Sequence, residues 1–183
     1  MKYVAFLRGI NVGGKGKVSM SDLKIVFEKL SFQNVVTYIN SGNVVFDTDE
    51  IASLKLEKSI EKALLNAFFD IPTVVLSEEE IDKVVKNVPK SWMSDADIRK
   101  YIAFIKTPKT SKDFLEQVTL KDGVDEVHIG HQVAYMTTKM SGIKKSGFTK
   151  LISKPIYKSI TIRNFNTVEK VRGMMRVSIG NLN

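Results

Sequence analysis

The sequence contains one pattern twice. The segment Tyr3-Val-Ala-Phe-Leu-Arg8 returns as Tyr101-Ile-Ala-Phe-Ile-Lys106. The same order of predicted elements follows each copy: a loop, an amphipathic helix, two short strands around a tight turn, a helix, a strand and a last helix. The βαββαβ order is that of the ferredoxin-like motif. The repeat therefore predicts an α+β fold of two tandem ferredoxin-like halves, each βαββαβ plus a helix, related by a pseudo-twofold.

The spacing of apolar residues and turn signals predicts where the elements of each half begin and end. The first half is predicted to contain strands at residues 3–7, 35–39, 44–46 and 73–76, a helix capped by Ser21, a helix at 51–69, and a helix opened by a capping box at 77–80. The second half is predicted to contain strands at residues 101–105, 126–129, 133–137 and 159–162, helices at 111–118 and 146–152, and a final helix capped by Asn164 or Asn166 that runs to about Arg176.

The predicted domain organisation is a first half at residues 1–88, a junction at 89–97 and a second half at 98–183. The junction contains Pro89 and the single tryptophan, Trp92. A tryptophan in such a linker could stack on a base or a sugar, but it is expected to anchor the linker in a core.

Composition excludes several classes of chemistry. The chain has 183 residues, 43% hydrophobic and 26% charged, which is ordinary for a globular protein, and it contains no cysteine. Disulfides, thiolate metal sites and a cysteine nucleophile are therefore absent. The opening apolar run is too short for a signal peptide, and no segment approaches the ~20 apolar residues of a membrane span. We expect a cytoplasmic protein that does not enter a membrane.

Positive charge is concentrated in one part of the chain. The net charge is +8, and the segment 127–168 holds seven lysines and arginines without a single Asp or Glu. Such segregation produces a one-sided field that favours an anionic partner, and nucleic acid is one candidate. The alternative is solvated lysine on exposed faces, kept for solubility.

A glycine-rich loop follows the first strand and reads Arg8-Gly-Ile-Asn-Val-Gly-Gly-Lys-Gly-Lys17. Glycines, Gly13 and Gly14 among them, let backbone amides turn toward a ligand, and successive inward-facing amides form an anion-binding nest. Positive charge and an amide are added by Arg8, Lys15, Lys17 and Asn11. The loop therefore predicts a phosphate or carboxylate site, and the alternative is a crossover whose glycines only permit turns.

The same loop resembles a P-loop but departs from it. The position that should carry a hydroxyl for Mg²⁺ is Gly16, and the next helix begins too late to meet the same phosphates. The sequence does not predict a P-loop NTPase.

Two other polar segments could contribute to an anion site. In a ferredoxin-like half, the turn Asn40-Ser41-Gly42-Asn43 lies at the same end as the glycine-rich loop, so Ser41 and Asn43 could reach the same ligand. The segment Arg163-Asn164-Phe165-Asn166 precedes the last helix, where an N-terminus binds anions. The alternatives are ordinary turn and capping roles for these residues.

No constellation of catalytic residues is visible. The two histidines, His128 and His131, bracket a hairpin turn and point to opposite faces, so no metal pair is predicted. No nucleophile–base set or close carboxylate pair stands out, and neither a catalytic residue nor a cofactor is assigned. The central strands, 3–7 and 44–46, are apolar on both faces, which predicts a covered sheet and disfavours the open aromatic face of RNA-binding modules.

The motifs Phe6-Leu-Arg-Gly-Ile-Asn-Val-Gly-Gly14, Thr37-Tyr-Ile-Asn-Ser-Gly-Asn-Val-Val-Phe46 and Arg163-Asn-Phe-Asn-Thr-Val168 resemble the bacterial family called domain of unknown function 1697. The resemblance covers essentially the whole chain. The family usually has Asn, Pro and Trp where this chain has Gly16, Ser19 and Phe165. The resemblance supports the fold and the polar segments, and it transfers no catalytic residue.

Three functions follow as hypotheses from the sequence. The first is binding of a phosphate-bearing small molecule or nucleotide at the glycine-rich loop, with or without a reaction. The second is nucleic-acid binding by the acid-free segment 127–168. The third is a protein-interaction module without a small ligand.

Overall fold

The computed structural model describes residues 1–13, 16–50, 52–94 and 97–176. The fold is α+β, with helices and two four-stranded antiparallel sheets. The strands are β1 (Lys2–Leu7), β2 (Gln33–Tyr38), β3 (Asn43–Asp47), β4 (Thr73–Ser77), β5 (Ile98–Ile105), β6 (Asp125–Gly130), β7 (Val133–Lys139) and β8 (Ile160–Asn164). The α-helices are α1 (Met20–Glu28), α2 (Ser53–Ala67), α3 (Glu78–Lys86), α4 (Ser91–Ser94), α5 (Ser111–Gln117) and α6 (Phe165–Arg176).

The chain divides into two compact units. The first comprises the described residues of 1–82 and 169–183, and the second those of 83–168. The sheet of the first unit has the order β2-β3-β1-β4, and the sheet of the second has the order β6-β7-β5-β8. In each sheet, the strand that begins the repeated motif is central and pairs with both neighbours in antiparallel fashion.

The core of the first unit lies between one face of its sheet and two helices. The aromatic rings of Tyr3, Phe27, Phe32 and Phe46 pack together there, and α2 adds Leu56, Ile60 and Leu64. The opposite face is also covered, because every residue from Tyr3 to Leu7 is 0% exposed. The predicted covered sheet is confirmed for these central strands.

Two carboxylates protect the outer edge of the first sheet. Strand β4 is an edge strand, so alternate amides on it have no partner strand. Glu57 accepts the amide of Val75 at 3.1 Å, and Glu61 accepts the amide of Thr73 at 2.8 Å. These glutamates stand one helical turn apart on α2, and they block the unpaired amides that would otherwise recruit another strand.

Two predicted helix starts have different outcomes. The capping box at Ser77 is confirmed, since Ser77 Oγ accepts the amide of Glu80 and Glu80 accepts the amide of Ser77. The Ser21 cap is wrong. Helix α1 begins at Met20, and Ser19 Oγ accepts the amide of Asp22 at 3.0 Å, while Ser21 contacts Ser19 at 2.9 Å.

The helix predicted at 146–152 is present, but it is a 3₁₀ helix and not the α-helix that the βαββαβ order implies. Three consecutive 3₁₀ helices occupy Met140–Lys145, Gly147–Ser153 and Pro155–Ser159. Side chains cap the start of the second of these helices, because Ser146 Oγ accepts the amide of Phe148 and the Asp125 carboxylate accepts the amide of Gly147. Pro155 then prevents continuation of the helix.

Candidate functional site

The glycine-rich loop follows β1, and the sign of the backbone angle φ alternates along it. The φ angles of Gly9, Asn11 and Gly13 are +77°, +53° and +61°, whereas neither intervening residue has a positive φ. Alternation of left-handed and right-handed residues directs successive amides to one side in an anion nest, and the alternating sign of φ is the part of that pattern seen in this loop. Gly9 and Gly13 are exposed, so this part of the loop faces solvent.

The side chain of Asn11 attaches the loop to the body of the unit. Its Nδ2 donates to the carbonyls of Val18 and Asn40, both at 2.9 Å, and its Oδ1 accepts the amide of Val18 at 2.9 Å. Its own amide donates to the Gly16 carbonyl at 2.9 Å, and this bond holds residues 11 and 16 together. The bond to Asn40 confirms the predicted proximity of loop and turn.

The turn between β2 and β3 is packed against the root of the loop. The amide of Leu7 donates to the Gly42 carbonyl at 2.8 Å. Gly42 has φ +76°, and a Cβ there would lie 2.7 Å from the Cβ of Leu7 and 2.9 Å from Ile10. Only glycine fits this position, because both the conformation and the space exclude a side chain.

Asn43 lies beneath the turn and not on its surface. It is 0% exposed, and its Nδ2 donates to the Tyr38 carbonyl at 3.0 Å and to Ser41 Oγ at 3.1 Å. Ile39, half exposed, has φ +47°, which is unusual for a β-branched residue. The hydrogen bonds of Asn43 hold the turn in this conformation.

The positive residues of the loop differ in their surroundings. Arg8 is half-buried, and its amide donates to the Pro72 carbonyl at 2.9 Å. Lys17 is exposed. Gly14 and Lys15, which the sequence also assigns to the anion site, lie outside the described residues.

The segment around Arg163 belongs to the second unit, whereas the loop belongs to the first. Burial lowers the pKa of the Arg163 guanidinium to about 10, and its Nη1 donates to the Ile162 carbonyl at 2.9 Å. Asn164 Oδ1 accepts the amide of Asn166 at 2.9 Å, which confirms that Asn164 caps α6. Both asparagines are exposed.

A buried carboxylate that sequence analysis missed organises the second unit. Asp125, 7% exposed, accepts four hydrogen bonds: from the amides of Lys121 and Gly147, and from the hydroxyls of Thr138 and Ser146. A Cβ on Gly147 would lie 2.3 Å from the Thr119 carbonyl oxygen, so this position has no room for a side chain. An aspartate beside a predicted strand gives no sequence signal of this role.

Each unit contains a cavity. The first unit has one of about 570 Å³ near the beginning of β1, at the opposite end of this strand from the glycine-rich loop; it is lined by Met1, Lys2, Leu30, Ser31, Gln33, Asp47, Thr48 and Asp49. Its lining carries both positive and negative charge, so the cavity does not favour a ligand of either sign. The second unit has one of about 260 Å³ beside the 3₁₀ helices.

No metal-ligating cluster of three or more His, Asp or Glu side chains occurs within residues 1–13, 16–50, 52–94 and 97–176. In that same part of the chain, no helix combines the length and the apolar character that crossing a membrane requires.

Comparisons with known proteins find a matching family model and two matching chains among solved structures. The model of the family described as "Protein of unknown function (DUF1697)" matches residues 1–135. A solved structure, described as that of conserved bacterial protein SP0830 from Streptococcus pneumoniae, is 29% identical with a TM-score of 0.83. The match covers 96% of this chain and 98% of the pneumococcal chain. No curated protein matches the sequence.

Proposed function

The chain belongs to the family of proteins of unknown function 1697, and we propose that it binds a phosphate-bearing small molecule or nucleotide at the glycine-rich loop. The observation that carries this proposal is the alternating sign of φ from Gly9 to Gly13. A nest binds anions through main-chain amides, and neighbouring cationic side chains add to the affinity.

Preorganisation of the loop supports the proposal. A long glycine-rich segment would ordinarily lose much conformational freedom when it closes on a ligand. Here the Asn11 side chain already fixes the loop against Val18 and Asn40. A loop ordered before binding loses less entropy on binding, so the same contacts produce higher affinity.

The charged residues have distinct roles in this proposal. The Arg8 fork can meet two phosphate oxygens at once, and Lys17 contributes a solvent-exposed point charge. Ser41 offers a hydroxyl from the neighbouring turn. Asn11 and Asn43 position the two segments through their hydrogen bonds to the chain, and Gly14 and Lys15 remain proposed members of the site.

The test is a thermal-shift and calorimetric titration with inorganic phosphate, ATP and GTP. A ligand at a hundred times its dissociation constant should stabilise the protein by ~2.7 kcal/mol. Lys17→Ala should weaken binding, whereas Lys29→Ala should not. Lys29 is an equally exposed lysine just beyond the other end of α1. Equal affinity for the two variants would contradict the proposal, and no binding of any anion would favour the protein-interaction hypothesis.

A second candidate function is nucleic-acid binding by the second unit. The three 3₁₀ helices and the end of β7 present Lys139, Lys144, Lys145, Lys150 and Lys158 to solvent, and Asp125 holds the chain between them in place. Each phosphate neutralised should add about −0.9 to the log–log salt slope on duplex DNA. Titration of short RNA and DNA against salt tests this, and no submillimolar binding at low salt would exclude it.

We also propose that the two units are ferredoxin-like duplicates. The last residue of the central strand donates to a left-handed residue in each unit: Leu7 to Gly42 at 2.8 Å and Ile105 to Gln132 at 2.9 Å. The next amide donates to the residue before the edge strand: Arg8 to Pro72 at 2.9 Å and Lys106 to Ser159 at 2.8 Å. Such parallel detail supports a duplication, and the pseudo-twofold relation stays a prediction.

A further inference from the structure

The cavity of the second unit lies over the face of the sheet that carries the core of this unit. Its apolar and aromatic lining consists of Tyr101, Met136, Ile143, Phe148 and Ile162. The volume of about 260 Å³ is below the ~300–1,000 Å³ of ordinary ligand pockets. It therefore suits a molecule with a single ring, and it is too small for a nucleotide.

The corresponding place in the first unit is filled. Tyr3 lies opposite Phe46 in register, as Tyr101 lies opposite Met136. Tyr3 stacks on Phe46 with ring centroids 5.9 Å apart and is 0% exposed. In the second unit, Met136 replaces the aromatic partner, and Tyr101 is only half-buried.

The different cover of the two sheets explains the opening. In the first unit, α2 contributes a continuous apolar stripe over the sheet. In the second unit, the chain between β7 and β8 forms three 3₁₀ helices, which bury Leu151 and Ile156 and leave a gap near Ile143. The gap is thus built into the fold of this unit by the 3₁₀ geometry.

The hydroxyl groups around the cavity are already oriented. Thr138 and Ser146 donate their protons to Asp125 at 3.0 and 2.7 Å, and Thr149 donates to the Ser146 carbonyl at 2.9 Å. A hydroxyl whose proton is committed can only accept a further hydrogen bond. These three residues line the cavity, so the part of its wall that they form is an acceptor surface.

We propose that this cavity binds a small neutral aromatic molecule that carries one hydroxyl or N–H donor. The donor of the ligand forms a hydrogen bond to an oriented hydroxyl of the cavity. The ring of the ligand fills the place that corresponds to that of Phe46 in the first unit. The Asp125 carboxylate behind Thr138 and Ser146 opposes an anion. Exposed Lys144, Lys145 and Lys150, next in sequence to lining residues, oppose a cation.

The test compares phenol, which has a donor, with anisole, which has none, by amide chemical-shift titration of the full chain. Phenol should shift the amides of Thr138, Phe148 and Thr149, and it should bind roughly 3–10-fold more tightly than anisole, the worth of one hydrogen bond. This site is independent of the glycine-rich loop, so the result does not depend on the anion proposal.

Variants that fill the cavity complete the test. Met136→Phe copies the residue of the first unit, and Ile143→Phe fills the cavity from the 3₁₀ side. Either variant that keeps the wild-type circular dichroism spectrum should lose phenol affinity by at least about tenfold, one factor of ten in the dissociation constant. Ile152→Phe is the matched control, because Ile152 is 70% exposed and does not line the cavity. Equal affinities for phenol and anisole, or unchanged phenol binding in both folded filling variants, would overturn the proposal.

Discussion

At the scale of single residues, Asn11 holds the glycine-rich loop of the first unit in position. Three side-chain hydrogen bonds and a left-handed backbone meet in one residue. Asparagine tolerates φ > 0 better than most residues, so its conformation and its hydrogen bonds favour the same identity. The sequence suggested a ligand contact here, and the structure adds a positioning role that is visible only once Val18 and Asn40 are adjacent.

We expect Asn11→Gly to lower the free energy of unfolding by about 1.5–4.5 kcal/mol, because glycine accepts the backbone conformation but loses three hydrogen bonds of ~0.5–1.5 kcal/mol each. Asn11→Ala should cost more, since it adds strain at positive φ. Urea denaturation measures both values. Wild-type stability of the glycine variant would show that the clamp does not stabilise the loop.

Arg8 separates the two interpretations of the loop. If the guanidinium binds phosphate through both nitrogens, Arg8→Lys should weaken phosphate binding by roughly 1.5–3 kcal/mol and leave the melting temperature nearly unchanged. If Arg8 serves the scaffold, Arg8→Ala should destabilise the protein instead. Melting temperature and phosphate affinity, measured on both variants, distinguish these outcomes; a large loss of stability without any anion affinity would assign the loop to scaffolding.

At the scale of elements, the 3₁₀ helices depend on one buried carboxylate. Asp125 accepts two amides and two hydroxyls from three separate parts of the second unit. We expect Asp125→Ala to lower the free energy of unfolding by at least about 3 kcal/mol, because it leaves several buried donors without an acceptor. Asp122→Asn, at an exposed position three residues away, is the control and should change little in the same urea titration.

Two helices are linked by an ion pair that should make stability depend on pH. Asp82 accepts from Arg172 Nε at 2.5 Å and from Arg176 Nη2 at 2.7 and 2.8 Å. The hydrogen bonds from Arg172 and Arg176 lower the pKa of the Asp82 carboxyl below its usual value. A lowered folded pKa contributes stability above the unfolded pKa of about 3.9, and that stability is lost as pH falls through the folded value.

The corresponding measurement is thermal unfolding of wild type and Asp82→Asn between pH 7 and pH 2. The variant should melt at a lower temperature at pH 7, and the difference should shrink below about pH 4, near the ordinary pKa of an aspartate. A difference in melting temperature that stays constant from pH 7 to pH 2 would mean that the charge of Asp82 does not contribute to stability.

At the scale of the whole molecule, the buried side chain of Trp92 anchors the predicted junction at 89–97. Trp92 is 4% exposed, its Nε1 donates to Thr137 Oγ1 at 2.7 Å, and its ring meets Tyr135 and Phe165 edge-on at 5.9 and 5.0 Å. The expected anchoring of this tryptophan in a core is confirmed. The division into residues 1–88 and 98–183 as independent halves stays a prediction.

Trp92→Phe should lower the free energy of unfolding by about 1–3 kcal/mol, because it keeps a ring but leaves the buried Thr137 hydroxyl without its donor. Thermal unfolding followed by circular dichroism measures the change. Met93→Leu is the neighbouring control, since Met93 is 84% exposed and should not respond. Equal loss in both variants would contradict the anchoring role.

The α+β class, the covered central strands of the first sheet and the location of the glycine-rich loop were predictable from the sequence alone. These features follow from local signals, namely alternation of apolar residues, glycine and asparagine in turns, and capping residues, and each of them acts over a few positions. Strand ends were accurate to within a few residues, because the apolar repeat defines the middle of a strand better than its ends. The resemblance to family 1697 was confirmed by the match over residues 1–135.

Which polar side chains serve the fold depends on tertiary contacts. Glu57 and Asp125 are buried and accept the amides of Val75 and Gly147, which are distant in sequence, and no local pattern reveals such partners. The helix predicted at 146–152 is a 3₁₀ helix whose start depends on such a contact: Asp125, some twenty residues earlier, accepts the amide of Gly147. A buried donor must find an acceptor, and that requirement is met by the fold as a whole and not by the segment.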